Sequence, residues 1–239
     1  MYSRQNLAAA NHPQNKMNGI AQRIDEITST LPGGVTLVAV SKFHPAEAIM
    51  EAYVAGQRVF GESRATELVE KASILPADIE WHFIGHLQTN KVRLVVPHAE
   101  LIQSVDSERL LRCIDSESRR IGKVTDILLQ LHVALEETKF GFLPDELTEL
   151  LAGGILEETP NVRVRGIMGM ASNVDDNARI ERDFKTIRST FDRIKSLSLH
   201  GTGAFDTVSM GMSHDYRLAI SCGSNMVRIG TTIFGEREY

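Results

Sequence analysis

Lys42 is the residue of this chain that most clearly could do chemistry. It ends the run Val35-Thr-Leu-Val-Ala-Val-Ser-Lys42, in which six of the seven preceding residues are apolar or β-branched. Such a run is typical of a strand that is buried on both faces. An amine at the carboxyl end of such a strand lies where α/β proteins place their chemistry, and it can react with a carbonyl group. Taken alone, however, the same lysine could simply extend from a strand end into solvent.

A second set of residues, near the C-terminus, could bind phosphate. Arg228-Ile-Gly-Thr-Thr232 ends another candidate strand, and its glycine would allow an anion to approach the backbone closely. Ser209 and Ser213 would bring hydroxyl groups from the neighbouring strand end. The last two strands of many barrels bind phosphate at this position. A phosphate-binding set that faces a lysine suggests a phosphorylated carbonyl compound held as a Schiff base.

Strands must alternate with helices to position these residues. Met17–Thr30 has isoleucines at helical spacing and predicts a helix that precedes the first strand. Eight strand candidates follow, each with a helix or turn after it: Val35–Lys42, Val59–Ser63, Trp81–His86, Leu101–Val105, Asp126–Ala134, Val162–Met170, Thr207–Gly211 and Met226–Gly230. Alternation implies parallel βαβ units, and eight of them imply an α/β fold that is a single closed (β/α)8 barrel of the TIM type. A doubly wound open sheet is the alternative.

In a barrel, the carboxyl ends of all strands meet at one mouth. The residues expected there are Lys42, Ser63, Gly85, His86, Met170, Ser209, Gly230 and Thr231. Residues 1–16 are polar and are expected to be disordered, whereas residues 17–239 are expected to form the barrel domain.

Composition disfavours several classes of function. The net charge of -5 and the lack of a long like-charge run argue against a nucleic-acid surface. Cys113 and Cys222 fit neither a metal site nor a disulfide framework, so we expect a cytoplasmic protein. No segment is typical of a signal peptide, and no apolar run approaches the length that spans a membrane.

The chain resembles the pyridoxal phosphate homeostasis protein family over roughly residues 35–237. The motifs that carry the resemblance are Ala39-Val-Ser-Lys42, Phe60-Gly-Glu62, His82-Phe-Ile-Gly85 with Leu87-Gln88 and Asn90-Lys91, Ser209-Met-Gly-Met-Ser213, and Met226-Val-Arg-Ile-Gly-Thr231 through Ile233-Phe-Gly235. The resemblance implies a barrel similar to the N-terminal domain of alanine racemase. It also implies pyridoxal 5'-phosphate (PLP) bound as an aldimine to Lys42.

The same resemblance implies the other contacts to the cofactor. Phosphate contacts are expected at Ser209, Gly230 and Thr231, and Arg228 is expected at the pyridine nitrogen. Ser63 and Met170 are expected beside the cofactor.

The chain departs from the family pattern at three places. Gly61-Glu-Ser63 stands where Gly-Glu-Asn is usual, so a hydroxyl replaces an amide. The segment Gly166-Ile-Met-Gly-Met170 replaces the usual Gly-Leu-Met-Thr-Ile. His86 occupies a position that is usually proline, and we therefore interpret it as a structural or rim residue rather than as an acid or base.

Arg228 bears on whether the protein is an enzyme. A guanidinium stays protonated and offers only donors, so beside the pyridine nitrogen it would keep that nitrogen unprotonated. The ring would then be a weak electron sink. Only five residues follow Phe234, and we expect no second domain that could supply a tyrosine base.

These observations predict a non-catalytic carrier that buffers or delivers PLP in intracellular PLP homeostasis. We expect a monomer whose partners are PLP and recipient apo-PLP enzymes, with no nucleic acid and no membrane. The alternative is a small racemase-like PLP enzyme acting on amino acids, with Lys42 as its only base. A remote third possibility is a PLP-free barrel enzyme in which Lys42 forms a Schiff base with a sugar phosphate.

Overall fold

The computed structural model describes residues 18–135, 140–201 and 203–235. The strands are β1 Thr36–Val40, β2 Val59–Glu62, β3 Glu80–Phe83, β4 Leu101–Val105, β5 Thr125–Leu131, β6 Val162–Gly169, β7 Thr207–Ser209 and β8 Met226–Ile229. The helices are α1 Asn18–Thr30, α2 Ala46–Val54, α3 Ala65–Ile74, α4 Val92–Val95, α5 Glu108–Arg120, α6 Pro144–Ala152, α7 Ile155–Glu158, α8 Asn177–Ser196, α9 Tyr216–Ser221 and α10 Thr231–Phe234.

The eight strands form a closed parallel barrel in which each strand pairs with its neighbours in sequence. β1 and β8 close the ring, with Thr36 opposite Met226 and Ala39 opposite Ile229. The predicted (β/α)8 barrel with an additional N-terminal helix is therefore confirmed, and the open-sheet alternative is wrong. The expected disorder of residues 1–16 lies outside the described residues, and the domain boundary stays a prediction.

Apolar side chains fill the barrel on both sides of the sheet. β4 and β5 are buried at every position, because helices cover their outer faces and the opposite strands cover their inner faces. A small cluster fills part of the interior, and its buried members are Val38, Leu101, Leu128, Met168 and Met226. A much larger cluster lies between strands and helices. This rigid frame positions the turns that follow the strands.

The structure differs from the predicted elements mainly where strands and helices end. β1 ends at Val40, so Lys42 lies in the turn before α2 rather than in the strand. β7 ends at Ser209, and Gly211 has a φ of 99°, which is incompatible with a continuing strand. The predicted helix at residues 89–95 begins with a 3-10 turn, Thr89–Lys91, before α4.

Membrane-spanning helices, metal-binding clusters and disulfides are absent from the described residues. None of the helices there has the length and the hydropathy that crossing a bilayer requires. No group of three or more histidine, cysteine or acidic side chains in the same ranges is arranged to hold a metal ion. Cys113 and Cys222 are not joined in a disulfide.

Candidate functional site

A cavity of about 230 Å³ opens at the carboxyl ends of the strands. Six of the seven residues predicted to bind the cofactor line it: Lys42, Ser63, Met170, Arg228, Gly230 and Thr231. These residues come from the ends of four strands, β1, β2, β6 and β8, and the closed barrel brings them together. The seventh predicted residue, Ser209, is not part of the lining.

Lys42 is half-buried, and hydrogen bonds fix the residues on both sides of it. The Ser41 N–H donates to the carbonyl oxygen of Gly61 (3.0 Å), and the Ser41 hydroxyl donates to Glu62 Oε1 (2.7 Å). The Phe43 N–H donates to Glu67 Oε2 (3.1 Å). Phe43 has a φ of 68°, a left-handed conformation that residues other than glycine adopt only when the surroundings hold them there. The turn that presents the lysine is therefore held in one conformation.

A buried ion pair lies directly behind this turn. Lys71 Nζ, on α3, donates to Glu62 Oε1 (2.7 Å) and to the carbonyl oxygen of Ser41 (2.9 Å). Glu62 Oε2 is also buried, and it has no hydrogen-bond partner in the described chain. Burial raises the pKa of Glu62 to about 7; the Lys71 ammonium and the Ser41 hydroxyl oppose this rise, whereas the carboxyl of Glu67 adds to it. With a pKa in this range, Glu62 changes between its neutral and charged forms near neutral pH.

Arg228, on β8, lies under the cavity with its guanidinium almost fully buried. Its Nη1 donates to the carbonyl oxygen of Ser209 (2.9 Å) and to the Ser209 hydroxyl (2.6 Å), and its Nη2 donates to the carbonyl oxygen of Gly169 (3.0 Å). A guanidinium has five N–H donors, so two remain without a partner among the described residues. Burial lowers the pKa of Arg228 to about 10, while Asp215 opposes the shift. The group therefore stays a cation at neutral pH.

The hydroxyl groups of Ser209 and Ser213 have different positions. Ser209 is completely buried behind the cavity, where its hydroxyl accepts from Arg228 and donates to Gln103 Oε1 (2.7 Å). Ser213 lines the cavity instead, together with Gly230 and Thr231. Beside Gly230, the lining hydroxyl groups are therefore those of Ser213 and Thr231.

Gly230 lies at the start of α10, close to β1. A Cβ atom at this position would lie 3.2 Å from both the carbonyl oxygen and the Cβ of Val40, which is tighter than ordinary van der Waals contact. A side chain at this position would therefore be crowded, and with glycine only backbone atoms form this part of the cavity wall.

His86 is not among the residues that line the cavity, which agrees with its interpretation as a structural or rim residue. Its ring stacks on Phe140, with the ring centroids 3.8 Å apart. Its Nδ1 lies 2.9 Å from Asp106 Oδ2, and about two-fifths of the side chain is exposed.

Sequence reasoning did not identify Lys71, Gln103 or His82 as parts of this site. Gln103 and His82 lie next to apolar residues within their strands, and a polar residue at such a position is a signal that could have been used. Lys71 carries no comparable signal, because a lysine on an amphipathic helix is normally exposed.

Comparison with known families first defines the class of barrel. Residues 16–238 match the family of the alanine racemase N-terminal domain. The solved alanine racemase of Bartonella henselae, with covalently bound pyridoxal phosphate, superposes with a TM-score of 0.71 over 92% of this chain and 59% of the racemase. At 16% identity, this likeness establishes the fold alone.

More similar relatives define the family. The pyridoxal phosphate homeostasis protein of Pasteurella multocida is 38% identical over 86% of this chain and 88% of the relative. The pyridoxal phosphate homeostasis protein of Escherichia coli K12 is 36% identical over 93% of this chain and 99% of the relative. The structure of PipY from Synechococcus elongatus PCC7942 with PLP bound has a TM-score of 0.82 and 37% identity, covering 90% of this chain and all of PipY. The chain belongs to the pyridoxal phosphate homeostasis protein family.

Proposed function

We propose that this protein binds PLP in the cavity at the barrel mouth and holds it for buffering or delivery within the cell. The observation that carries the proposal is the arrangement of Lys42, Arg228 and the Gly230–Thr231 segment around one cavity. Relatives named for PLP homeostasis, and the PLP in the PipY structure, support it.

The donor set of the cavity fits the three functional groups of PLP. The amine of Lys42 would bond covalently to the aldehyde carbon. Arg228 would offer one of its two remaining N–H groups to the pyridine nitrogen, and Ser63 and Met170 would lie beside the ring. Bound PLP supplies an aldehyde that reacts reversibly with amines.

For the phosphate, we propose Gly230, Thr231 and Ser213. Ser213 takes the place first expected for Ser209, because the Ser209 hydroxyl is already bonded to Arg228 and Gln103. The hydroxyl groups of Thr231 and Ser213 can donate to an anion, and Gly230 leaves space for it beside the backbone.

Arg228 favours a carrier over an enzyme. Because it can only donate, it would leave the pyridine nitrogen unprotonated, and the ring would withdraw electrons weakly from a bound amino acid. One observation favours the racemase-like alternative: His44 and His214 also line the cavity, and either imidazole could act as a base.

The first experiment locates the covalent link. The PLP-loaded protein is reduced with borohydride, digested and mapped by mass spectrometry. We expect the adduct on Lys42 and no adduct in Lys42→Ala, while Lys91→Ala, a change at another half-buried lysine near the mouth, keeps it. An adduct on a different lysine of the wild-type protein would contradict the proposed site.

The second experiment separates the carrier from the enzyme. The PLP-loaded protein is incubated with single L-amino acids while D-isomer, keto acid and amine products are measured, and separately with an apo-PLP enzyme whose activity is followed. We expect recovery of the recipient's activity and negligible turnover. Turnover on the order of one per second or faster, abolished in Lys42→Ala, would instead establish the racemase-like enzyme.

A further inference from the structure

A chain of buried hydrogen bonds crosses the barrel interior from Arg228 to His82. Arg228 Nη1 donates to Ser209 Oγ (2.6 Å), and Ser209 Oγ donates to Gln103 Oε1 (2.7 Å). Gln103 Nε2 lies 2.9 Å from His82 Nδ1. The four residues belong to β8, β7, β4 and β3, and none is more than 4% exposed.

The direction of every bond in this chain is fixed by its two ends. An arginine only donates, so the Ser209 oxygen accepts from it and the Ser209 hydrogen is left for Gln103 Oε1. At the other end of the amide, Gln103 Nε2 also lies 3.3 Å from the sulfur of Met226, which can only accept. With its nitrogen toward Met226 and His82, the amide donates to the sulfur and accepts from Ser209; the reverse orientation would leave the Ser209 hydrogen without an acceptor, so the partners select the first orientation.

The tautomer of His82 follows from this direction. Because Gln103 Nε2 donates to Nδ1, that ring nitrogen carries no hydrogen, and the hydrogen of the neutral ring is on Nε2. Burial lowers the pKa of His82 to about 4, which agrees with a neutral ring at physiological pH.

We propose that Ser209, Gln103 and His82 are positioning residues that hold the Arg228 guanidinium in place for the cofactor. With both hydrogens of Nη1 bonded to Ser209 and Nη2 bonded to Gly169, the planar group cannot rotate without breaking several buried bonds. Its two remaining N–H groups are thereby held in a fixed direction. The role toward the cofactor rests on the proposed function, whereas the direction of the chain does not.

The direction of the chain can be tested on the cofactor-free protein by histidine NMR. Long-range ¹H–¹⁵N correlations at pH 7 distinguish the two neutral tautomers and the charged ring. We expect His82 to be neutral with its hydrogen on Nε2, and not to titrate between pH 5.5 and 8. A hydrogen on Nδ1, or a charged ring, would overturn the inference without any substitution being made.

Gln103→Glu provides a test by substitution. A carboxylate can accept from Ser209 but cannot donate to His82, so Nδ1 must acquire a hydrogen to bond with it. We expect His82 in this variant to carry a hydrogen on Nδ1, either as the other tautomer or as the charged ring. The ¹³C shift of the new carboxyl group reports whether it is ionised, and an unchanged tautomer beside an ionised carboxylate would show that Gln103 and His82 are not linked as proposed.

The positioning role is tested by PLP affinity. Gln103→Leu removes the partner of Ser209, and we expect PLP binding to weaken roughly tenfold, a change of about 1.4 kcal/mol, with a shifted absorbance maximum. The matched control is Gln57→Leu, at a buried glutamine that bonds to the carbonyl oxygens of Leu37 and Val59. Equal weakening in both variants, or none in Gln103→Leu, would overturn the positioning role. Failure of the wild-type protein to bind PLP would contradict the proposed function instead, and the NMR result would still stand.

Discussion

The raised pKa of Glu62 predicts that the stability of the protein falls as the pH rises through neutrality. The folded protein binds this proton up to about pH 7, whereas the unfolded chain releases it near 4.5. Between these two values the folded state holds more protons than the unfolded state, so the free energy of unfolding decreases with pH. Integrated from pH 5 to pH 8, the loss attributable to Glu62 is on the order of 2 kcal/mol.

The perturbation that isolates this effect is Glu62→Gln. The amide keeps the shape of the side chain and can still accept from Ser41 and Lys71, but it does not titrate. Urea unfolding of the cofactor-free wild type and variant is measured at pH 5, 6, 7 and 8, because urea leaves the ionic strength unchanged. We expect the wild type to lose on the order of 2 kcal/mol relative to the variant across this range.

The control for this experiment is Glu70→Gln, at an exposed position on the same helix as Lys71. This variant is expected to follow the wild type at every pH. A difference between wild type and Glu62→Gln that stays constant from pH 5 to pH 8 would contradict the prediction, since the buried carboxyl would then not titrate in this range.

Two further predictions concern glycines at the mouth. Gly230→Asp places a carboxylate where the phosphate is proposed to bind, so PLP affinity should fall strongly. Affinity for pyridoxal, which has no phosphate, should change much less. Equal losses of affinity for the two ligands would mean that the phosphate binds elsewhere. Gly85→Ala would drive a methyl group into the backbone of Ser63, so the free energy of unfolding should fall by about 2 kcal/mol or more by urea denaturation. Gly33→Ala, where an added methyl group meets nothing, is the control and should be near neutral.

The fold could be predicted from the sequence because the strands of a closed barrel are unusually easy to recognise. Most strand residues are buried, so apolar stretches such as Ile127-Leu-Leu129 at the centre of β5 alternate with helical patterns along the chain. The ends of the elements were harder to predict. β7 ends at Ser209, and the positive φ of Gly211, two residues later, prevents the strand from continuing. Hydrophobic periodicity gives no information about the backbone dihedral angles of single residues, so it did not predict where this strand ends.

The site could be predicted only in part. The residues at the mouth follow from the rule that strand ends meet there, and Lys42, Gly230 and Thr231, which this rule places at the mouth, line one cavity, as does Arg228, which was expected from the family resemblance. It could not separate Ser209 from Ser213, because the two hydroxyls are only four residues apart and their directions depend on where the strand ends. The pairing of Lys71 with Glu62 depends on how α3 packs against β2, and no spacing in the sequence indicates it.

The closed ring of strands also limits how the protein could meet a recipient enzyme. A sheet with an open edge can bind a partner by adding one of the partner's strands, but the eight described strands are all paired on both sides. A recipient enzyme of the proposed kind would therefore dock through side chains and turns. Since the cavity opens only among the turns that follow the strands, direct transfer requires contact with that end of the barrel, whereas transfer through solution requires no contact at all.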